Sequence, residues 1–313
     1  MKIPNLHSTD LRKDTDCTPD EILSLFKLAA ELKSAQKKGK RHHLLEGKTL
    51  GMIFEKSSTR TRVSFEAGMY QLGGNALFLS KNDIQMGRGE PIEDTARVLS
   101  RYLDGIMIRT FAQSTVDDLA KYADIPIING LTDVYHPCQA YADYFTIFER
   151  EKSLSGINIA FIGDGNNVAN SLLLTGALLG IGVSVASPKG YQPDKKIVAE
   201  AEQIARKTGA TINITTGVED AARGAQYLYT DVWASMGQEK EALKRKKAFS
   251  KYKISMGLIK KCCPEAKVMH CLPAHRGEEV DEMVLDSPHS IIFDEAENRL
   301  HIQKAIMCAL LNK

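Results

Sequence analysis

Thr49-Leu50-Gly51-Met52-Ile53-Phe54 is a continuous apolar run, and the polar stretch Ser57-Ser58-Thr59-Arg60-Thr61-Arg62 and a helical pattern over Arg62–Leu72 follow it. A short run without polar alternation reads as a parallel strand covered on both faces, and the hydroxyl-rich segment behind it is helix-opening chemistry. The same unit recurs along the chain. Ala76–Leu79, Gly105–Ile108 and Ile125–Ile128 complete a first set of expected strands; Ile157–Ile162, Val183–Ala186, Thr211–Ile214, Gln226–Tyr229 and Lys267–Met269 form a second. Alternating β and α of this kind predicts an α/β fold, with two domains, each a parallel β-sheet flanked by helices. Upstream, Thr18-Pro19-Asp20-Glu21 is a capping box that opens a helix running to about Gln36.

The 313 residues lie near the length at which one core gives way to two domains of roughly 150 residues. The charged-then-small stretch Glu149–Gly156 is the expected boundary, dividing residues 1–149 from 150–294. A last helical pattern, about 295–313, could pack on either half, the first included. Hydrophobic content of 43% and charged content of 26% are those of an ordinary globular chain. Lys+Arg 41 against Asp+Glu 39 leaves +2, which gives no footprint for nucleic acid. No stretch approaches the ~20 apolar residues of a membrane span, and Met1-Lys2-Ile3-Pro4-Asn5 lacks the apolar core of a signal peptide. The expected compartment is therefore the cytoplasm. Six cysteines without a C-x-x-C pair suggest neither a disulfide scaffold nor structural zinc.

Polar clusters recur just past the expected strands, where open parallel sheets bind ligands. They are Ser57–Arg62, Arg109-Thr110 and His136-Pro137-Cys138-Gln139 in the first half. In the second they are Gly163-Asp164-Gly165-Asn166-Asn167, Asp231 with Ser235-Met236-Gly237, and His270-Cys271-Leu272-Pro273. Three clusters from each half predict an active site in the interdomain cleft. Ser58, Thr59, Arg60 and Thr61 combine hydroxyls, a guanidinium and the first amides of a helix, an anion site of phosphate size; ordinary N-capping is the competing reading. Arg109 ends a buried strand and serves either an ion pair or the same anion. His136 is structural when taken alone, and beside Gln139 can donate to a carbonyl or phosphate oxygen.

Gly163–Val168 does not make a dinucleotide fingerprint. The third glycine falls at Val168, and Val185-Ala186-Ser187-Pro188 offers no acidic residue for a ribose. The turn instead exposes Asn166 and Asn167, either of which can present an amide to a ligand carboxylate; helix capping is the competing reading, expected for at least one of them. Asp231 suits an ammonium or a cap. Cys271 is a lone cysteine whose strand-end place allows a polar role. Cys262-Cys263 reads as structural, Lys244-Arg245-Lys246-Lys247 as a solvated helix face and His42-His43 as a surface pair.

Taken together, Ser58–Thr61, Met107-Ile108-Arg109-Thr110, His136–Gln139, Asp231–Gly237, His270–Pro273 and Glu297-Asn298-Arg299-Leu300-His301 resemble the aspartate/ornithine transcarbamylase family over essentially the whole chain. Ser-Thr-Arg-Thr and His-Pro-x-Gln are common to both branches; Ser-Met-Gly and His-Cys-Leu-Pro resemble the ornithine branch. The resemblance implies that Ser58, Thr59, Arg60, Thr61, Arg109, His136 and Gln139 hold carbamoyl phosphate, with Cys271, Leu272 and Arg299 completing that site. It implies that Asn167, Asp231, Ser235 and Met236 hold L-ornithine, and that Arg60, Arg109, His136, Asp231 and Cys271 carry the chemistry. Gln85 matches a loop that in the family reaches a neighbouring subunit's site, which implies a homotrimer or a multiple of trimers. The implied reaction gives L-citrulline and phosphate, with neither cofactor nor metal. A putrescine, N-acetylornithine or aspartate transferase is the near alternative; a nicotinamide oxidoreductase and a non-catalytic phosphate binder are the distant ones.

Overall fold

The computed structural model describes every residue except Met236, Gln238 and Lys313, and describes Gly87 and Glu239 by their main chain alone. The chain forms two compact units, Met1–Phe145 with Glu297–Lys313, and Thr146–Ala296. In the first unit, β1 (Thr49–Phe54), β2 (Asn75–Ser80), β3 (Gly105–Arg109) and β4 (Ile127–Leu131) make a parallel sheet of order β2-β1-β3-β4. Its helices are α1 (Pro19–Lys37), α2 (Thr59–Gln71), α3 (Ile92–Leu99), α4 (Gln113–Tyr122) and the start of α5 (Pro137–Glu151). In the second unit, β5 (Asn158–Ile162), β6 (Gly182–Ala186), β7 (Ile212–Thr215), β8 (Tyr227–Thr230) and β9 (Lys267–His270) pair in parallel in the order β7-β6-β5-β8-β9. Around it lie α6 (Asn167–Leu178), α7 (Lys195–Thr208), α8 (Val218–Ala222), α9 (Ala242–Phe249), α10 (Met256–Cys262), α11 (Glu282–Leu285) and the start of α12 (Ile292–Leu311).

The elements form for the expected reasons, with small shifts. Every residue of β3 and β4 is buried, as two-sided cover requires. Thr18 closes the capping box with Glu21. Helix α2 starts at Thr59 rather than Arg62, because Ser58 is its cap and accepts the Thr61 amide at 3.2 Å. Strand β4 begins two residues later than expected, since Pro126 cannot donate to the ladder.

Two surface readings are corrected. His42 is buried, with Nδ1 3.0 Å from the Lys40 carbonyl and Nε2 3.4 Å from Lys304 Nζ. The buried Lys304 ammonium is also held by Gln36 Oε1 at 2.8 Å and Gln71 Oε1 at 2.9 Å. Arg245 is likewise buried, donating to Asp164 Oδ2 at 2.7 Å and the Trp233 carbonyl at 3.0 Å, while Lys244, Lys246 and Lys247 remain exposed. Charge in a run says nothing of which side chain finds a buried carboxylate.

The turn after β5 shows why glycine is needed there. A Cβ on Gly165 would lie 2.1 Å from the Pro193 nitrogen and 2.3 Å from the Gln192 carbonyl carbon, both main-chain atoms. Gly165→Ala should therefore destabilise the second unit by about 2–3 kcal/mol, read as a lowered midpoint in denaturant unfolding.

Candidate active site

In the first unit the expected anion residues gather at the carboxyl ends of the strands. Ser58 and Thr59 sit at the start of α2, exposed or half-buried, with Arg60 half-buried beside them and Thr61 buried. Arg109 is the last residue of β3 and is buried. His136 is buried immediately ahead of α5, and Gln139 lies in that helix's first turn. Arg299 comes from α12, far away in sequence. Its guanidinium donates to Gln139 Oε1 at 2.9 Å and to Thr61 Oγ1 at 2.8 Å. Gln139 is turned by a second bond, Nε2 to Asp143 Oδ1 at 2.8 Å, one helical turn on.

Burial holds the His136 imidazole well below the ordinary histidine range, and the positive charges of Arg299, Arg109 and Arg60 push it the same way. The charges of three guanidiniums thus bear on one ring that burial keeps neutral. A neutral imidazole can donate its one N–H to a developing oxyanion and keep that proton. Gln85, by contrast, is exposed at the start of a short 3-10 turn, Gln85–Arg88, away from this group on the chain.

The second unit holds the amine-site candidates. Asn166 is the α6 cap, its Oδ1 accepting the amides of Val168 and Ala169, while its Nδ2 donates to Asp231 Oδ2 at 2.8 Å. Asn167 opens the helix and is half-buried. Asp231 is not a helix cap. It follows β8, is buried, and its Oδ1 accepts the Val232 amide at 2.8 Å and the Cys271 thiol at 3.1 Å. Ser235 is half-buried; Met236 lies outside the described residues.

The turn after β9 is held from behind. Glu295 accepts the His270 amide at 2.8 Å and the Tyr229 hydroxyl at 3.1 Å. His270 Nδ1 accepts the Leu272 amide at 2.9 Å, so its proton sits on Nε2, 3.1 Å from Glu279 Oε1. Leu272 takes a left-handed φ of 59°, costly for a leucine and stabilised here by that amide bond. Asp231, His270 and Cys271 place donor atoms within 4.8 Å of one another. Because both His270 nitrogens are already engaged, the trio is better suited to presenting a thiol and a carboxylate than to enclosing an ion.

Asp143, Glu279 and Glu295 have no part in the sequence reading of the site, whereas Asn166 is the helix cap that reading allows. Asp143 had a signal, its i,i+4 spacing from Gln139; the other two pair with residues that only folding brings near.

The class of protein is given by comparison with known families. Family models described as the carbamoyl-P binding domain and the Asp/Orn binding domain of aspartate/ornithine carbamoyltransferase match residues 9–149 and 155–310. The chain belongs to that family. Within it, the chain is 57% identical to an ornithine carbamoyltransferase of Syntrophotalea carbinolica over 95% of this chain and 97% of the relative. A relative from Pyrococcus furiosus, named an anabolic ornithine carbamoyltransferase, is 52% identical over 99% of this chain and 98% of its own length. The solved structure of ornithine carbamoyltransferase from that organism superposes with a TM-score of 0.95 at 51% identity, covering 99% of both chains.

The neutral state of His136 is testable. Nitrogen-15 NMR of labelled protein, assigned with His136→Gln, should show a neutral ring, with one nitrogen protonated, from pH 8 down to pH 5.5. The folded state resists a proton that the unfolded chain accepts near pH 6.5, so the stability tied to this ring is lost as pH falls below about 6.5.

Proposed function

We propose that this chain transfers the carbamoyl group of carbamoyl phosphate to the side-chain amine of L-ornithine, giving L-citrulline and phosphate. The observation that carries the reading is the set of Arg60, Arg109 and Arg299 around one neutral buried histidine, a receptor for a small dianion carrying a carbonyl. Residues 1–149 with the terminal helix act as the carbamoyl phosphate domain, and residues 150–294 as the ornithine domain. Transfer requires both ligands to come within bonding distance, so one site served by both domains is part of the proposal.

Arg60, Arg109 and the first amides of α2 neutralise the phosphate, aided by Ser58, Thr59 and Thr61. Arg299 holds Gln139 and Thr61 in place around it. His136, Thr61 and Arg109 polarise the carbonyl oxygen as the tetrahedral intermediate forms. The attacking amine must first lose a proton, since a free alkylamine titrates near about 10.4. Asp231 and Cys271 hold it and position its lone pair, the Asp231 carboxylate receives that proton, and Cys271 forms no covalent bond. Nitrogen bonds to the carbonyl carbon, the carbon–oxygen bond to phosphate breaks, and phosphate leaves with the electron pair and takes up the second proton that the nitrogen must lose. Asn167, Ser235 and Met236 hold the amino-acid end of ornithine, and Cys271 and Leu272 complete the carbamoyl side.

The activated phosphate supplies the driving force, so no cofactor or metal enters the scheme. The name of the Pyrococcus furiosus relative favours the biosynthetic direction, toward arginine. No described helix is long and apolar enough to cross a membrane, and a cytoplasmic place in amino-acid metabolism is proposed with the reaction. Phosphate release should appear with carbamoyl phosphate and L-ornithine, and stay near background with putrescine, N-acetylornithine or aspartate. A preference for any of those three would transfer the chain to another branch.

A homotrimer, or a multiple of it, is also proposed, with Gln85 serving a neighbouring site. Strand β2 is a sheet edge whose Leu77 and Phe78 are exposed at 43% and 36%, and Val63 and Tyr70 of α2 are exposed at 55% and 82%. An edge strand with apolar neighbours is a surface that self-association would cover. Light scattering on the eluted protein should give a mass that is a multiple of three chains; a monomer would remove Gln85 from the site.

A further inference from the structure

The carboxyl ends of β1 to β4 are cross-linked by side chains that neither the anion reading nor helix capping uses. Glu55 and Lys56 lie between the end of β1 and the loop that opens α2. The Glu55 amide carries the ladder one residue past the strand, donating to the Arg109 carbonyl at 2.9 Å. Beyond that point, β1 is linked to its neighbours through the Glu55 carboxylate, which is 11% exposed. Thr110 Oγ1 donates to Oε2, the Phe111 amide donates to the same carboxylate, and Lys81, just past β2, pairs with Oε1 at 2.8 Å. Lys56 reaches the opposite way, its buried ammonium pairing with Asp133 beyond β4 and lying 4.2 Å over the Phe111 ring. The four strand ends are thus tied in sheet order: Lys81, Glu55, Thr110 with Phe111, then Asp133 through Lys56.

We propose that Glu55 is a positioning residue for the anion pocket. It clamps Arg109 and Thr110 to the loop bearing Ser58–Thr61, and through Lys81 it fastens the base of the segment that carries Gln85 to the same point. The proposal rests on the carbamoyl phosphate reading of this pocket. Arg109 serves a dianion only if its main chain keeps a fixed distance from the first turn of α2, and a displacement of about 1 Å there is costly. Burial alone would push the Glu55 carboxyl up, but hydrogen bonds from Lys81 and Thr110, with the charge of Lys81, hold it below the ordinary carboxylate range. The clamp is therefore ionised at neutral pH. A purely structural carboxylate would stabilise the unit without affecting ligand affinity, and the two roles separate by experiment.

Glu55→Gln keeps the shape and one acceptor oxygen but loses the charge facing Lys81. Thr110→Val removes the hydroxyl arm alone, and Lys81→Met the other. For each, the dissociation constant of inorganic phosphate is measured by calorimetry, with KM for carbamoyl phosphate and for ornithine, and the unfolding midpoint. Glu55→Gln and Thr110→Val should each weaken phosphate binding and raise KM for carbamoyl phosphate about tenfold, while KM for ornithine moves by less than about twofold. Lys81→Met should do so more weakly, and adding it to Glu55→Gln should change nothing further, because the two share one pair. Phosphate affinity and KM unchanged beside a lowered unfolding midpoint would overturn the proposal. If Glu55→Gln does not fold, Thr110→Val decides on the same criterion. A wild-type protein that binds phosphate but fails to carbamoylate ornithine would sink the reaction, and the phosphate affinities would still judge Glu55.

Discussion

Three guanidiniums gathered around one buried histidine are the constraint to which the first unit is built. Like charges repel more strongly where burial keeps water away, as it does for Arg109 and Arg299, and the proposed dianionic substrate would offset them. The sheet supplies the only economical place. Parallel strands end together, the following helices begin there with their amides pointing outward, and Arg109 and the first turn of α2 fall at that rim without any unusual backbone. Arg299 must come from elsewhere, and the terminal helix brings it. Its bonds to Gln139 and Thr61 show that it also orders the rim.

The second unit repeats the architecture with the opposite sign. Its rim presents Asp231, held by the Asn166 amide and the Val232 main chain, with the Cys271 thiol on the same oxygen. Behind Cys271 the His270 ring is fastened between the Leu272 amide and Glu279, and Glu295 fastens the His270 main chain. A carboxylate so held presents its charge at a fixed point, which is what the proposed transfer to an amine demands of it. The near-zero net charge of the chain is a sum over all its charged side chains and carries no trace of where these few fall.

Local chemistry was readable where one segment settles its own structure. Thr49–Phe54 declares a buried strand, Thr18 and Glu21 declare a helix start, and Ser58 declares another. The residues at the strand ends could be named as site candidates because a parallel sheet leaves only that edge for binding. Misreadings fell where a side chain's surroundings come from distant segments. His42 and Arg245 were read as surface residues because their neighbours in sequence are polar. His42 is covered near Lys304 of the terminal helix, and Arg245 by Asp164, which lies 81 positions away.

What the sequence by itself determined is therefore the order of strands and helices, the two-sheet class, and the residue types offered at each rim. Those depend on apolar runs, capping residues and glycine turns, all of which act over a few residues. Only the tertiary structure decided that Arg299 joins Thr61 and Gln139, that Asp231 meets Cys271 and Asn166, and that Glu55 ties three strand ends. These pairings join residues between about 25 and 240 positions apart, and no local preference specifies them; they exist because burial leaves each charge or amide with one geometry in which its hydrogen bonds are met.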